Sequence, residues 1–470
     1  MKVEQIYTGC LAQGAYYIVS NGEAAIIDPL REVQPYIDMA NERGAKIKYI
    51  FETHFHADFV SGHMDLSKKT GAPVIYGPTT MKTGYDIVVG EDGQEFKLGD
   101  ATIKLIHTPG HTMESSCYLL IDENGKETSL FSGDTLFIGD VGRPDLAQKV
   151  IAELTQDKLA SMLYDSLRDK IMPLNDDIIV YPGHGAGSAC GKNMSSETSD
   201  TLGNQKKTNY ALNPELTREQ FIKELLTGLT PPPGYFPHNV LMNIGGYESI
   251  DEVVKAGTTP LSPAALETVV EETGAIVLDT RSAQEFAKGF IPGSYNIGLK
   301  GNFASWAGVV FKDVKQPLVL VTEPGTEEEV TIRLARVGFD NTKGFLNGGV
   351  DAWIKAGKNL DSIRSVSVEE VAAANSPNIL DVRKESEFKS EHIIGAENAP
   401  LDYYWDSMAK VDKDKTYYVH CKSGYRSMVF TSILKAKGYD NLIDVKGGFE
   451  AMKDSGEFRF SEYVCPTTML

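Results

Sequence analysis

The sequence predicts an α/β protein: a first domain of two sheets packed together with helices outside, followed by two copies of a smaller α/β module. Three observations predict it. The chain has 470 residues, and at roughly 150 residues per domain that length implies about three domains rather than one core. Its C-terminal part repeats itself with a period of about a hundred residues. Short apolar runs alternate with segments of helical spacing, the alternation that builds sheets covered by helices.

Taken in order, the runs Gly14 to Val19 and Ala24 to Asp28 read as strands around Asn21-Gly22, a dipeptide that tolerates the positive φ angles of a tight hairpin turn. Pro35 to Gly44 has helical spacing, Ala101 to His107, Cys117 to Ile121 and Ile178 to Tyr181 are strand-like, and Lys149 to Leu167 is helical again. Pro231-Pro232-Pro233-Gly234 can neither continue a helix nor sit in a central strand, so the first domain is expected to cover 1–235. A linker over 236–262 then leads into the first copy at 263–360 and the second at 361–470. The copies align by eye. Leu278-Asp279-Thr280-Arg281, Glu285-Phe286, Ile291, Gly293 and Asn296 return as Leu380-Asp381-Val382-Arg383, Glu387-Phe388, Ile393, Gly395 and Asn398, and Gly348-Gly349 returns as Gly447-Gly448. Each copy reads helix, apolar strand ending in an acid and an arginine, helix, strand, loop, helix.

Sixty-five acidic residues against 46 basic ones give a net charge of -19. Such a surface repels phosphodiester backbones and anionic headgroups, so neither nucleic acid nor a membrane is an expected partner. The longest apolar runs, such as Leu318-Val319-Leu320-Val321, are far shorter than the roughly 20 residues of a spanning helix. Met1 to Tyr7 contains no apolar h-region, so a cytoplasmic location is expected. The five cysteines are scattered and odd in number, which reads as thiols rather than a disulfide framework. Cys10 and Cys117 fall in strand-like segments and read as small buried hydrophobes.

Histidines and carboxylates gather at the ends of strands. Tyr49-Ile50-Phe51 leads into Thr53-His54-Phe55-His56-Ala57-Asp58-Phe59, and three further runs lead into Gly110-His111-Thr112, Gly133-Asp134-Thr135 and Gly183-His184-Gly185. A strand end presents a side chain rigidly to a cleft, so four such ends can converge on one ion. One such histidine alone is more often a hydrogen-bonded structural imidazole. The series of four resembles the metallo-β-lactamase superfamily, whose fold is an αββα sandwich, and the likeness covers essentially the whole first domain. Binuclear hydrolases of that superfamily, glyoxalase II among them, carry H-x-H-x-D-H. Here the last position is Phe59, whose ring has no lone pair to donate, which favours a mononuclear centre. The persulfide dioxygenase branch is the nearer likeness, and it implies one Fe(II) per chain held by His54, His111 and Asp134. His56, Asp58 and His184 would then orient ligands and bound water. Two imidazoles and one carboxylate leave positions open for O2 and substrate.

Two neighbouring segments carry the same likeness with a bland alternative beside each. In Gly142-Arg143-Pro144-Asp145, Asp145 holds Arg143 against the substrate loop, or the two form a surface ion pair of little consequence. In Gly187-Ser188-Ala189-Cys190-Gly191-Lys192, Cys190 meets a thiol substrate near the metal or is an inert small residue. Lys192 steers an anionic thiol cofactor or is a solvated charge.

In the second copy the strand Tyr417-Tyr418-Val419 runs into His420-Cys421-Lys422-Ser423-Gly424-Tyr425-Arg426 and then a helix. A thiol at that junction faces the partial positive charge of a helix N-terminus and a fan of backbone N–H donors, which favour a sulfur anion. Lys422 and Arg426 add positive charge. With Asp381, Arg383 and His392-Ile393 upstream, the loop resembles that of rhodanese sulfurtransferases, in which six residues cradle a cysteine persulfide. The likeness makes Cys421 the sulfur carrier and Arg426 the anion-binding, loop-organising residue, with Lys422, Ser423, Gly424 and Tyr425 forming the rest of the cradle. A related phosphatase class uses a longer loop. The first copy has Thr322 where the second has Cys421 and Glu327 where it has Arg426, so it reads as catalytically silent. Asp279 and Arg281, present in both copies as Asp381 and Arg383, read as fold-stabilising.

The order of parts resembles bacterial fusions of persulfide dioxygenase with sulfurtransferase. That likeness implies oxidation of a low-molecular-weight thiol persulfide, of glutathione, coenzyme A or another thiol, by O2 to sulfite and thiol. It further implies sulfur exchange among Cys421, sulfite and thiosulfate, a setting in sulfide detoxification, and a homo-oligomer. Two other readings stand beside it: a zinc-dependent thioester hydrolase of glyoxalase II type, which Phe59 opposes, and a scaffold whose cysteine loop only senses persulfide.

Overall fold

A computed structural model describes residues 1–146 and 155–465. The part of the expected helix from Lys149 to Leu154 lies outside the described residues; beyond it the helix Gln156–Asp165 runs into the π-helical turn Ser166–Ile171. The chain forms two compact units, 1–250 with 334–338 and 251–333 with 339–470.

The first unit is built on two six-stranded sheets. In one, Lys2–Thr8, Gln13–Ser20, Glu23–Ile27, Lys46–Phe51, Val74–Tyr76 and Val88–Val89 lie side by side in chain order. In the other the order is Asp200–Thr201, Ile179–Pro182, Glu127–Gly133, Ser116–Ile121, Ala101–His107 and Glu95–Leu98. Ser20 pairs with Glu23, and both turn residues take positive φ, 41° at Asn21 and 76° at Gly22, as the dipeptide predicts.

Alternation along the strands sorts side chains into layers. Tyr16, Ile18, Ile27, Phe51 and Ile75 of the first sheet meet Phe96, Ile103, Leu105, Tyr118 and Phe131 of the second in the central core. Tyr17, Ala24 and Ile26 face the opposite way, onto Tyr36, Ala40 and Leu66 of two helices. On the far side Cys117, Leu119 and Leu130 pack against Ala160, Leu163 and Phe221. The arrangement is helix, sheet, sheet, helix.

Residues 236–250 are not a linker. The helix Phe236–Gly245, opened by Pro237, buries Phe236, Asn239, Asn243 and Ile244 in this unit. The Asn243 amide donates to the carbonyls of His56 and Phe59, each at 2.8 Å, and accepts from the Ser61 amide. The proline run does break the chain, but the helix after it supplies a polar side chain that satisfies buried carbonyls of the histidine loop, so the domain closes only beyond it.

The second unit holds two parallel five-stranded sheets with the same strand order. One runs Pro260–Leu261, Thr342–Leu346, Leu318–Val321, Ile276–Asp279, Tyr295–Asn296; the other runs Ser365–Val366, Leu442–Val445, Tyr417–His420, Asn378–Asp381, Glu397–Asn398. Arg281 donates to Asp279 and to the Gly289 carbonyl, and Arg383 repeats both bonds with Asp381 and Glu391. Asn296 and Asn398 each donate to the carbonyls on either side of that bend. The repeated residues thus brace one strand-to-helix turn in both copies.

Among the described residues no helix is long and apolar enough to cross a membrane, and no cysteine forms a disulfide. Cys117 is buried in a strand, whereas Cys10 lies in a turn and is only half-buried, because its segment ends the first strand rather than extending it.

Candidate metal centre and cysteine loop

His54 follows the strand Lys46–Phe51, His111 follows Ala101–His107, Asp134 follows Glu127–Gly133, and His184 follows Ile179–Pro182. All four lie at one end of the two sheets and all are buried. Gly183 lets the last two meet: a Cβ there would stand 2.6 Å from Asp134 Oδ1.

Three ligand atoms, one each from His54, His111 and Asp134, lie within 4.8 Å of one another. Hydrogen bonds fix which atoms these are. Thr53 Oγ1 donates to Asp28 at 2.8 Å and so accepts from His54 Nδ1 at 3.0 Å. His111 Nδ1 donates to the Arg143 carbonyl at 2.7 Å. Both rings therefore carry their proton on Nδ1 and turn the Nε2 lone pair inward, as metal-bound histidines do. Asp134 Oδ1 accepts from His184 Nδ1 at 2.8 Å, while Oδ2, 3.5 Å from His111 Nε2 and 3.9 Å from His54 Nε2, is buried with no hydrogen-bond partner. A bare carboxylate oxygen facing two lone pairs is costly unless a cation lies between them, so the residues fit a divalent metal.

The charges agree. Burial and the neighbouring His56 hold the His54 pKa well below its ordinary value, so the ring stays neutral. Burial opposes ionisation of Asp134, but His184, His54 and His111 overcome it and hold the carboxyl well below the usual range. Burial likewise opposes charge on His184, yet Asp134 on one side and Asp58, 2.7 Å from Nε2, on the other push its pKa up to about 10. Burial, with Asp58 and Asp134 nearby, pushes the Cys190 thiol well above its ordinary value, leaving it protonated. Asp58, His184 and Cys190 form a second group of possible ligands beside the first.

His56 turns elsewhere. Its Nε2 lies 3.1 Å from Asp28 and 3.3 Å from Glu52, and despite burial these two acids raise its pKa well above normal. Phe59 is fully buried with its ring 4.4 Å from that of His56. Asp28 and Glu52, absent from the sequence-based site, join it by supporting Thr53 and His56; Asp28 gave only a strand-end signal, and Glu52 gave none.

On the approach side, Arg143 is buried and forked onto Asp145 through two 2.6 Å bonds, and it also donates to the carbonyls of Ala189 and Thr230. It ties loops together and is not a surface ion pair. Lys192 donates to the carbonyls of Glu224 and Thr227 at the end of the helix Arg218–Leu226, where a cation complements the helix terminus at a partly exposed position. A small, mostly apolar pocket of about 30 Å³ reaches His111 and is lined by Phe55, Ala57, Met81, Met113, Leu146, Val240 and Ile244, with Thr112 and Glu114 as polar neighbours.

In the second unit Cys421 is buried at the end of Tyr417–His420, and the Gly424 amide donates to its sulfur at 3.1 Å. Two helices point their N-termini at this loop. Tyr425–Ala436 starts directly from it, and Gly448–Ser455 places the amides of Phe449 and Glu450 on the carbonyls of Cys421 and Lys422 at 2.7 and 3.1 Å. Arg426 forks onto Glu387, at 2.6 and 2.9 Å. Lys422 and Ser423 are exposed, and Lys422 lies 3.5 Å from Glu450. Tyr425 departs from the expected cradle: its hydroxyl leaves the loop and donates to the Gly298 carbonyl at 2.7 Å. In the first copy the corresponding Gly325 amide donates instead to Glu327, at 3.1 Å, so a carboxylate replaces the thiol as its acceptor.

Residues 8–184 match the metallo-β-lactamase superfamily, and residues 262–356 and 367–455 match the rhodanese-like domain. A hydroxyacylglutathione hydrolase from Rhizobium etli is 36% identical over 166 residues, 35% of this chain and 57% of that protein. One from Pelagibacter ubique is 33% identical over 180 residues, 37% of this chain and 68% of that protein. The chain thus spans little more than half the length of the first of these relatives. The crystal structure of a metallo-β-lactamase from Staphylococcus aureus is similar over 74% of this chain and 98% of that one, with 31% identity and a TM-score of 0.63.

Proposed function

The chain belongs to the metallo-β-lactamase superfamily and carries two rhodanese-like domains behind that domain, and from that premise we propose that it is an iron-dependent persulfide dioxygenase coupled to a Cys421 sulfurtransferase. The observation that carries this reading is the three-residue ligand set His54, His111 and Asp134, with a buried phenyl ring where a binuclear hydrolase has an imidazole. Fe(II) bound there would supply the open positions at which O2 and a persulfide sulfur react. The overall change, RSSH + O2 + H2O to RSH + H2SO3, balances without a further reductant.

The protein's own part is positioning. The Thr53 and Arg143 contacts hold the two ligand rings. His184 occupies one Asp134 oxygen and so leaves the other for the metal. The apolar side chains beside His111 limit water near the reacting sulfur. At Cys421 the outer sulfur of a cysteine persulfide passes to sulfite, giving thiosulfate and the thiolate, or the reverse. The Gly424 amide and the helix N-terminus behind it stabilise the sulfur anion on either side of that exchange. A low-molecular-weight thiol persulfide, a cytoplasmic setting in sulfide detoxification and a homo-oligomer complete the reading.

Asp134→Ala tests it. The variant is expected to lose bound iron and to lower persulfide-dependent O2 uptake by at least about a hundredfold with the fold retained; unchanged uptake overturns the assignment. The named relatives, and the second group of possible ligands formed by Asp58, His184 and Cys190, favour a second reading, a zinc thioester hydrolase. Hydrolysis of S-lactoylglutathione by the zinc-loaded protein, with no O2 uptake by the iron-loaded one, would establish it instead.

A further inference from the structure

The helix that follows Cys421 is held along one face by the copy that lacks a thiol. Tyr425, Met428 and Ser432 share that face, spaced three and four residues apart. At its first turn the Tyr425 hydroxyl donates to the Gly298 carbonyl at 2.7 Å. The ring lies over Gly298 and Gly301, where added Cβ atoms would stand 3.4 and 3.6 Å from it. One turn on, Met428 packs among Phe286, Ala287 and Phe290. One turn further, Ser432 Oγ accepts from the Asn296 amide at 2.9 Å. The turn that receives Tyr425 is itself braced, because Arg333 donates to the Leu299 carbonyl at 3.1 Å.

This clamp bears on the loop directly. Tyr425 is the residue after Gly424, whose amide contacts the Cys421 sulfur, and it precedes Arg426, which forks onto Glu387. Fixing the Tyr425 ring therefore fixes the peptide planes that aim the N–H donors. The first copy has no counterpart: Thr326 stands at the Tyr425 position, and its hydroxyl only bonds back to the Glu323 carbonyl. The asymmetry makes one copy the holder and the other the held.

We propose that the thiol-less copy serves as a template for the sulfur-carrying loop, and that Tyr425 is the positioning residue through which it acts. The functional half of this inference rests on the reading of Cys421 as sulfur carrier; the structural half does not.

The test uses the full chain with Tyr425→Phe, which keeps the ring, and Tyr404→Phe as control. Tyr404 makes another hydroxyl bond between the copies, to the Val310 carbonyl at 3.0 Å, away from the loop. Two readouts are taken: amide hydrogen exchange of the peptide spanning residues 421–427, and kcat and KM for sulfur transfer from thiosulfate to cyanide. Tyr425→Phe is expected to speed exchange in that peptide and to lower kcat by about tenfold with KM changed less than about twofold. Tyr404→Phe is expected to match the wild type in both. Unchanged loop exchange in Tyr425→Phe overturns the proposal, and so does an equal effect of the two variants, which would mark general loosening of the interface. Faster loop exchange in a protein whose wild type transfers no sulfur supports the clamp while refuting Cys421 as carrier, so the two failures are told apart.

Discussion

His184 sits between Asp58 and Asp134, its Nε2 2.7 Å from one and its Nδ1 2.8 Å from the other, and the pair of carboxylates stabilises its charged form. A pKa raised from about 6.5 to about 10 contributes stability that is complete below the unfolded value and is lost as pH rises through the folded one. Metal-stripped protein should therefore melt at progressively lower temperature from about pH 7 to about pH 10. His184→Gln should be less stable at neutral pH, and its melting temperature should vary less over that range. Parallel pH profiles for the two proteins would refute the charge assignment. The residues of this centre were legible because each ends a strand, where the sheet leaves the side chain little choice of direction. Lys192 and Tyr425 were not, since their reach lets a helix end or a neighbouring glycine turn decide where they go.

At the scale of elements, the second Gly-Gly pair lets two helix N-termini share one loop. Gly448 has φ of +58°, and a Cβ on it would lie 2.4 Å from the Cys421 carbonyl oxygen and 2.9 Å from Lys422. Its counterpart Gly349 has φ of +57° but open space around the same position. Both Gly→Ala variants incur the left-handed backbone cost of about 1–2 kcal/mol, and only Gly448→Ala must also displace the cysteine loop. Calorimetry should find Gly448→Ala the less stable of the two, and sulfur transfer should fall in it alone; equal losses in both variants would count against the shared-loop geometry. The repeat made this pair visible in the sequence, because matching turns recur with matching spacing. The helix Phe236–Gly245 was hidden behind a proline run, and nothing local announces that Asn243 caps carbonyls of a loop nearly two hundred residues earlier.

For the whole molecule, the net charge of -19 offers anionic sulfur compounds no general attraction, so each proposed reaction would depend on its own local donors. The candidate metal centre offers lone pairs of two imidazoles and a bare carboxylate oxygen; the cysteine loop offers the Gly424 amide and a guanidinium already paired with Glu387. No residue belongs to both constellations, and each lies in a separate compact unit. The two activities should therefore be separable within one intact chain. In Cys421→Ser, persulfide and O2 should still yield sulfite at the wild-type rate while thiosulfate no longer accumulates. Removing the metal with a chelator should do the converse, abolishing sulfite formation and leaving sulfur transfer from thiosulfate to cyanide intact. Sulfite and thiosulfate measured together over one time course distinguish the cases. If Cys421→Ser slows sulfite formation by tenfold or more, the thiol takes part in the oxidation itself, and the division of labour drawn from these two sites is wrong.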